Sequence, residues 1–67
     1  MEVFGFNIKV ERIKRKLSQE ELAHRLGFSC VYISNIELGK HNISLSNAKT
    51  FADFFTKPLD YFLKENV

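Results

Sequence analysis

Between Ser18 and Gly39 the sequence starts and stops a helix twice, and this punctuation restricts the chain more than any other feature in it. In SQEE, residues 18–21, the Ser18 side chain is placed to accept from the backbone amide of Glu21, and the Glu21 carboxylate to accept from the amide of Ser18. Both glutamates also suit the positive end of the helix dipole. Gly27 then supplies a residue that takes the left-handed conformation in which helices end. Ser29 can cap a further helix over about residues 30–38, and Gly39 ends it in the same way. The middle of the chain is therefore two short helices joined by about three residues.

Strand-type alternation is missing elsewhere, whereas helical spacing recurs, as in Phe6, Val10, Ile13 and Leu17, or in Leu22 and Leu26 with Ala23 beside them. A first helix is expected over about residues 4–15. After the loop KHNIS, Ser44 or Ser46 can cap a fourth helix running through Ala48, Phe51, Ala52 and Phe55. Pro58 opens a short fifth helix carrying Leu59, Phe62 and Leu63. The expected fold is all-α, five helices in one domain over residues 1–67. Phe51, Phe55 and Phe62 should lie in its core, Ala23 where the crossing helices approach closely, and Ile33 and Ile36 on the inward side of the third helix.

Sixty-seven residues are near the lower limit for a core without disulfides or metal, so nearly every apolar side chain should be needed. The single cysteine forms no internal disulfide, and with only His24 and His41 the chain falls short of a structural zinc set. That composition points to a reducing compartment, the cytoplasm, and to no metal or cofactor. No apolar run is long enough to span a bilayer, and MEVFGF lacks the basic region and cleavage site of a secretory signal, so a soluble, unprocessed protein is expected. Cys30 with His24 or His41 as base would be the nucleophile of an enzyme, but no glycine-rich oxyanion loop or third orienting residue accompanies it; the expectation is no enzyme, with His24 on a solvated surface.

The net charge of +2 is modest, but KVERIKRK, residues 9–16, holds five of the ten cations and one acid. A solvated helix end, with cations near the negative end of its dipole, accounts for that cluster. By contrast RLGFSCVYISNIE, residues 25–37, carries no charge between its two ends. Two short helices with a glycine turn match helix-turn-helix geometry, in which the second helix enters the DNA major groove. A helix used in that way cannot carry strongly hydrated acids on its leading face, while short polar or apolar groups lie well against base edges.

The motif LSQEELAHRLGFSCVYISNIELGK, residues 17–40, resembles the signature of the lambda repressor and Cro type of helix-turn-helix regulators, also called the xenobiotic-response-element family. The resemblance extends to Phe4 and Gly5 with Ile8 and Arg12, and to SLSNAKTFADFF followed by PLDYFL. It implies base reading by Cys30, Val31 and Asn35, with Ser34 and Leu38 nearby, and phosphate contacts by Gln19, Tyr32 and Lys40, with the His41 and Asn42 loop contributing similarly. Asn35 can form a bidentate pair with adenine, and Val31 can pack on a thymine methyl. Gln19 sits in the first turn of its helix, where free amides and the dipole already attract phosphate. The resemblance also implies an Arg12–Glu37 ion pair. The chain departs from the family's pattern with Lys16 and Thr56-Lys57 where glycine is common, Ile43 where proline is common, and Ala48 where leucine is usual; Phe51 or an N-terminal phenylalanine would fill the space beside Ala48.

The expected function is that of a sequence-specific DNA-binding transcriptional regulator, similar to small phage Cro proteins and restriction-modification controllers. It would bind an inverted repeat in double-stranded DNA as a homodimer, as a repressor or an activator according to where its operator lies, with no membrane or small-molecule partner. The rival reading is a protein-interaction module, such as an antitoxin or adaptor, using the same fold. Phe54, Tyr61 and Leu63 add apolar area beyond the core and are expected in the dimer interface. In the competing arrangement Phe54 folds back under Phe4 and Phe6.

Overall fold

The computed structural model describes residues 2–65, which form five α-helices: α1 (Glu2–Lys14), α2 (Gln19–Leu26), α3 (Cys30–Glu37), α4 (Leu45–Phe54) and α5 (Leu59–Leu63). Three of them start at a serine that satisfies a free backbone amide. Ser18 Oγ accepts from the Glu21 amide and Glu21 Oε1 from the Ser18 amide, both at 3.0 Å, completing a reciprocal cap. Ser29 accepts from the Tyr32 amide at 3.0 Å, and Ser44, rather than Ser46, from the Asn47 amide at 3.1 Å. Pro58 stands at the cap position of α5. Gly27 and Gly39 take φ of 75° and 74°, as the stop signals require.

The two departures from glycine are left-handed as well: Lys16 has φ 57° and Thr56 has φ 56°. Both form the same kind of helix end, with the Leu17 amide donating to the Arg12 carbonyl and the Lys57 amide to the Ala52 carbonyl, each at 3.1 Å. A side chain in this conformation costs about 1–2 kcal/mol relative to ordinary helical backbone.

The core is built from Phe4 and Ile8 of α1, Leu22 and Ala23 of α2, Ile33 and Ile36 of α3, Phe51 and Ala52 of α4, and Phe55 and Phe62. Phe4 stands edge-on to Phe51 at 6.0 Å and also meets Phe62. The small, buried Ala48 belongs to the same core cluster as these rings.

The first helix begins two residues earlier than the pattern predicts, and it buries a different face. Phe6 and Ile13, half of the apolar series read from the sequence, are 49% and 54% exposed. The buried side carries Phe4, Gly5, Asn7, Ile8, Glu11 and Arg12. Pattern reading missed it because half of those residues are polar or charged, and such groups are buried only when partnered. Asn7 Nδ2 donates to the Phe62 and Lys64 carbonyls at 3.0 and 2.7 Å, tying α1 to the end of α5. At Gly5 α1 touches the backbone of α3 so closely that a Cβ would run into the Ile36 carbonyl oxygen. Among the described residues no helix is long and apolar enough to cross a membrane.

Candidate nucleic-acid interface

α2 and α3 are joined by Gly27, Phe28 and Ser29, and the turn is pinned by Phe28, whose ring packs on Tyr32 at 4.9 Å and Phe51 at 5.5 Å. Ile33, Ile36 and Glu37 turn inward from α3. Its other side presents Cys30, Val31 and Leu38, the last two 69% and 61% exposed, with Ser34 and Asn35 half-buried between them. The side-chain amide of Asn35 makes no hydrogen bond among the described residues, leaving its donor and acceptor for a ligand. No acid stands on this row: Glu37, the one carboxylate of α3, points to the scaffold.

There Glu37 meets Arg12. Arg12 Nε donates to Glu37 Oε2 at 2.7 Å and Nη2 to Oε1 at 3.1 Å, and Arg12 Nη1 reaches the Leu17 carbonyl at 2.7 Å. Gln19 Nε2 also donates to Glu37 Oε1, at 3.0 Å. Gln19, expected at the phosphates, is therefore first a brace between the start of α2 and the end of α3, with its second amide hydrogen still available.

Lys40, His41 and Asn42 follow α3 directly and are exposed. His41 lies nearly parallel to the Tyr32 ring, at 6.3 Å between centroids, and the Tyr32 hydroxyl accepts from Asn47 Nδ2 at 3.0 Å. With its lone pair occupied by Asn47, the hydroxyl keeps its proton to donate outward. The sequence around Asn47 carries no local signal for this contact, because it depends on α4 meeting α3.

Beside Arg12 on the buried side of α1, Glu11 accepts from Arg15 Nη1 at 2.6 Å and from the Tyr61 hydroxyl at 2.9 Å, with Lys14 at 3.5 Å. Burial pushes the Glu11 carboxyl up, but the hydrogen bonds from Arg15 and Tyr61 and the charge of Lys14 outweigh it and hold the group below its ordinary value. The Tyr61 hydroxyl is correspondingly pushed up, first by its bond to Glu11 and then by burial. Spacing of four between Glu11 and Arg15 was the available signal for this pair. Arg15 also donates to the Phe55 carbonyl at 2.8 Å, so it joins Arg12 as a structural cation of the basic run rather than a merely solvated one.

Of the residues expected at a dimer contact, Leu63 is 54% exposed, while Phe54 and Tyr61 are half-buried. Tyr61 is not surplus apolar surface, since Glu11 holds its hydroxyl and Lys57 lies over its ring at 4.6 Å. Phe54 does not fold under the N-terminal phenylalanines; its ring stands edge-on to Phe55 at 5.1 Å, and the place beneath Phe4 is taken by Phe51 and Phe62.

A tight glycine turn, a buried brace behind the second helix and an uncharged outward row define a helix-turn-helix domain. The chain belongs to the Cro/C1-type helix-turn-helix family, whose profile matches residues 8–62. It is 38% identical over 50 residues to the Neisseria hypothetical transcription factor of Neisseria meningitidis serogroup B, covering 75% of this chain and 47% of that protein. It is 34% identical over 61 residues to an uncharacterized transcriptional regulator in the ATPase CF(0) region of Rhodospirillum rubrum, covering 91% of this chain and 56% of that one. The chain thus spans about half the length of these relatives. Among solved structures, it is similar to the hypothetical transcription factor NHTF from Neisseria, with a TM-score of 0.90 at 31% identity, over 97% of this chain and 73% of that one. It is also similar to Bacillus thuringiensis PlcR in complex with the peptide PapR7 and DNA, with a TM-score of 0.82 at 25% identity, over 100% of this chain and 24% of that one.

Proposed function

We propose that this chain is the DNA-reading part of a transcriptional regulator, inserting α3 into the major groove of an inverted-repeat operator and binding as a homodimer. The observation that carries the reading is the outward row of α3: exposed Val31 and Leu38 with a free Asn35 amide between them, and its one acid turned away to Arg12. The domain's likeness to a protein solved together with DNA supports the same reading. Cys30, Val31, Ser34 and Asn35 read bases; Gln19, Tyr32, Lys40, His41 and Asn42 hold phosphates and fix register. The family and its named relatives are regulators rather than enzymes.

An inverted repeat requires a twofold axis setting the two α3 helices about 34 Å apart. Phe54 and Leu63, with the outer edge of Tyr61, supply the self-complementary patch on α4 and α5.

Selection of bound sequences from a random duplex pool tests the function, and a palindromic consensus bound with affinity falling steeply in salt is the expected result. No enrichment, with binding indifferent to salt, overturns it and favours the protein-interaction reading. Sedimentation without DNA tests the interface. Phe54→Ser should turn a dimer into a folded monomer, and a wild-type monomer at about tens of micromolar removes the interface.

A further inference from the structure

The side of α1 that faces away from the core carries an apolar series of its own. Val3, Phe6, Val10 and Ile13 are spaced three, four and three residues apart, the a and d spacing of a helix that pairs with another helix. At 3.6 residues per turn this seam lies roughly 180° from the row Phe4, Ile8, Arg12 that packs on the rest of the domain. The fold leaves it uncovered: Phe6 and Ile13 are about half exposed, and Val3 and Val10 are half-buried. Nothing in the domain's stability explains two large apolar side chains presented at this spacing.

The rim of the seam indicates what covers it. Lys9 flanks one side and Lys14 the other, against one acid, Glu2. Lys14 keeps its side chain 62% exposed although it approaches Glu11. Self-pairing is disfavoured by these charges. A parallel pair sets Lys9 of one copy against Lys14 of the other, and an antiparallel pair that aligns all four apolar layers sets Lys9 beside Lys9. A helix with carboxylates at the flanking positions meets the opposite sign at each of them.

We propose that the outer face of α1 is a docking surface for an acidic amphipathic helix of another protein, which packs apolar a and d side chains on Phe6, Val10 and Ile13 and sets carboxylates against Lys9 and Lys14. The inference does not rest on DNA binding. α3 meets α1 on the other side, at Gly5 and Arg12, so an occupied seam leaves α3 uncovered. One helix of 13 residues offers less area than a standard interface, so the contact is weak and transient.

The probe is a synthetic peptide of three heptads with leucine at a and d and glutamate at e and g, whose own like charges keep it from pairing with itself. Titrated into the isotope-labelled 67-residue chain, it should shift amide resonances of α1 around Phe6, Val10 and Ile13, and a lysine-flanked control peptide should not. Phe6→Glu with Ile13→Glu should weaken binding at least tenfold with helicity retained. Lys9→Glu with Lys14→Glu should exchange the preference, binding the lysine-flanked peptide instead. No shift up to about millimolar peptide, equal binding of both peptides, or no exchange by the charge reversal overturns the proposal. Self-association of the wild type that is lost in Phe6→Glu with Ile13→Glu overturns it too, because the occupant is then a second copy. Operator binding measured on the same variants reports separately on α3.

Discussion

Arg12 and Glu37 are joined by two hydrogen bonds of 2.7 and 3.1 Å, and this fork holds α3 to α1 at the point where α3 ends. Both groups are buried, so each is stable there because of the other. Arg12→Met or Glu37→Leu alone should cost about 3–5 kcal/mol, comparable with the whole stability of a domain this small. The double substitution should cost clearly less than the sum, since no charge is then left unpaired. Urea unfolding of the three variants checks this; additive losses would show that the two groups act independently.

Readout and positioning should separate in mutants. Asn35→Ala should bind the selected operator more weakly, by about 1–3 kcal/mol, and relax preference at one base pair. Lys40→Ala should weaken binding to all sequences alike and lower the salt slope by about 1. Gln19→Ala should lose stability as well as affinity, because its amide also braces Glu37. Titrations on matched and mismatched duplexes, with unfolding curves alongside, resolve the three; an Asn35→Ala variant as selective as wild type refutes its assignment.

Left-handed backbone at Lys16 and Thr56 leaves stability to be gained. Lys16→Gly and Thr56→Gly should each stabilise by about 0.5–1 kcal/mol, the relief of strain exceeding the added freedom of the unfolded chain. The gain should be larger at Thr56, whose branched side chain fits this conformation worst. Denaturation midpoints should rise with an unchanged slope.

Glu11 and Tyr61 set opposite limits in pH. The Glu11 carboxyl is held below its ordinary 4.5, so its contribution is complete above that value and is lost as pH falls through the folded-state one. Tyr61 titrates above its ordinary 10.0, so its contribution is complete below 10.0 and is lost as pH rises through the folded-state value. Tyr61→Phe should move acid unfolding to higher pH, because Glu11 loses a donor, and should remove this alkaline loss. Thermal melts across about pH 2 to 11 measure both limits.

Local chemistry was legible wherever a residue acts on neighbours within a turn or two. Ser18 with Glu21, Ser29 and Gly27 fixed the starts and stops of α2 and α3 by hydrogen bonds within a few residues, and the absence of charge between Arg25 and Glu37 marked the outward face of α3. The helix pair followed from those signals, and the all-helical class from the recurring helical spacing of apolar residues. Which face of α1 is buried was decided only by the packed structure. Asn7, Glu11 and Arg12 carry no apolar period, and they are buried because the carbonyls at the end of α5, the Tyr61 hydroxyl and Glu37 arrive from up to 57 residues away to satisfy them. For the same reason Gln19 became a brace and Tyr32 acquired its Asn47 anchor. Hydrogen bonds between distant residues leave no period in a sequence, whereas caps and stops are written into consecutive positions.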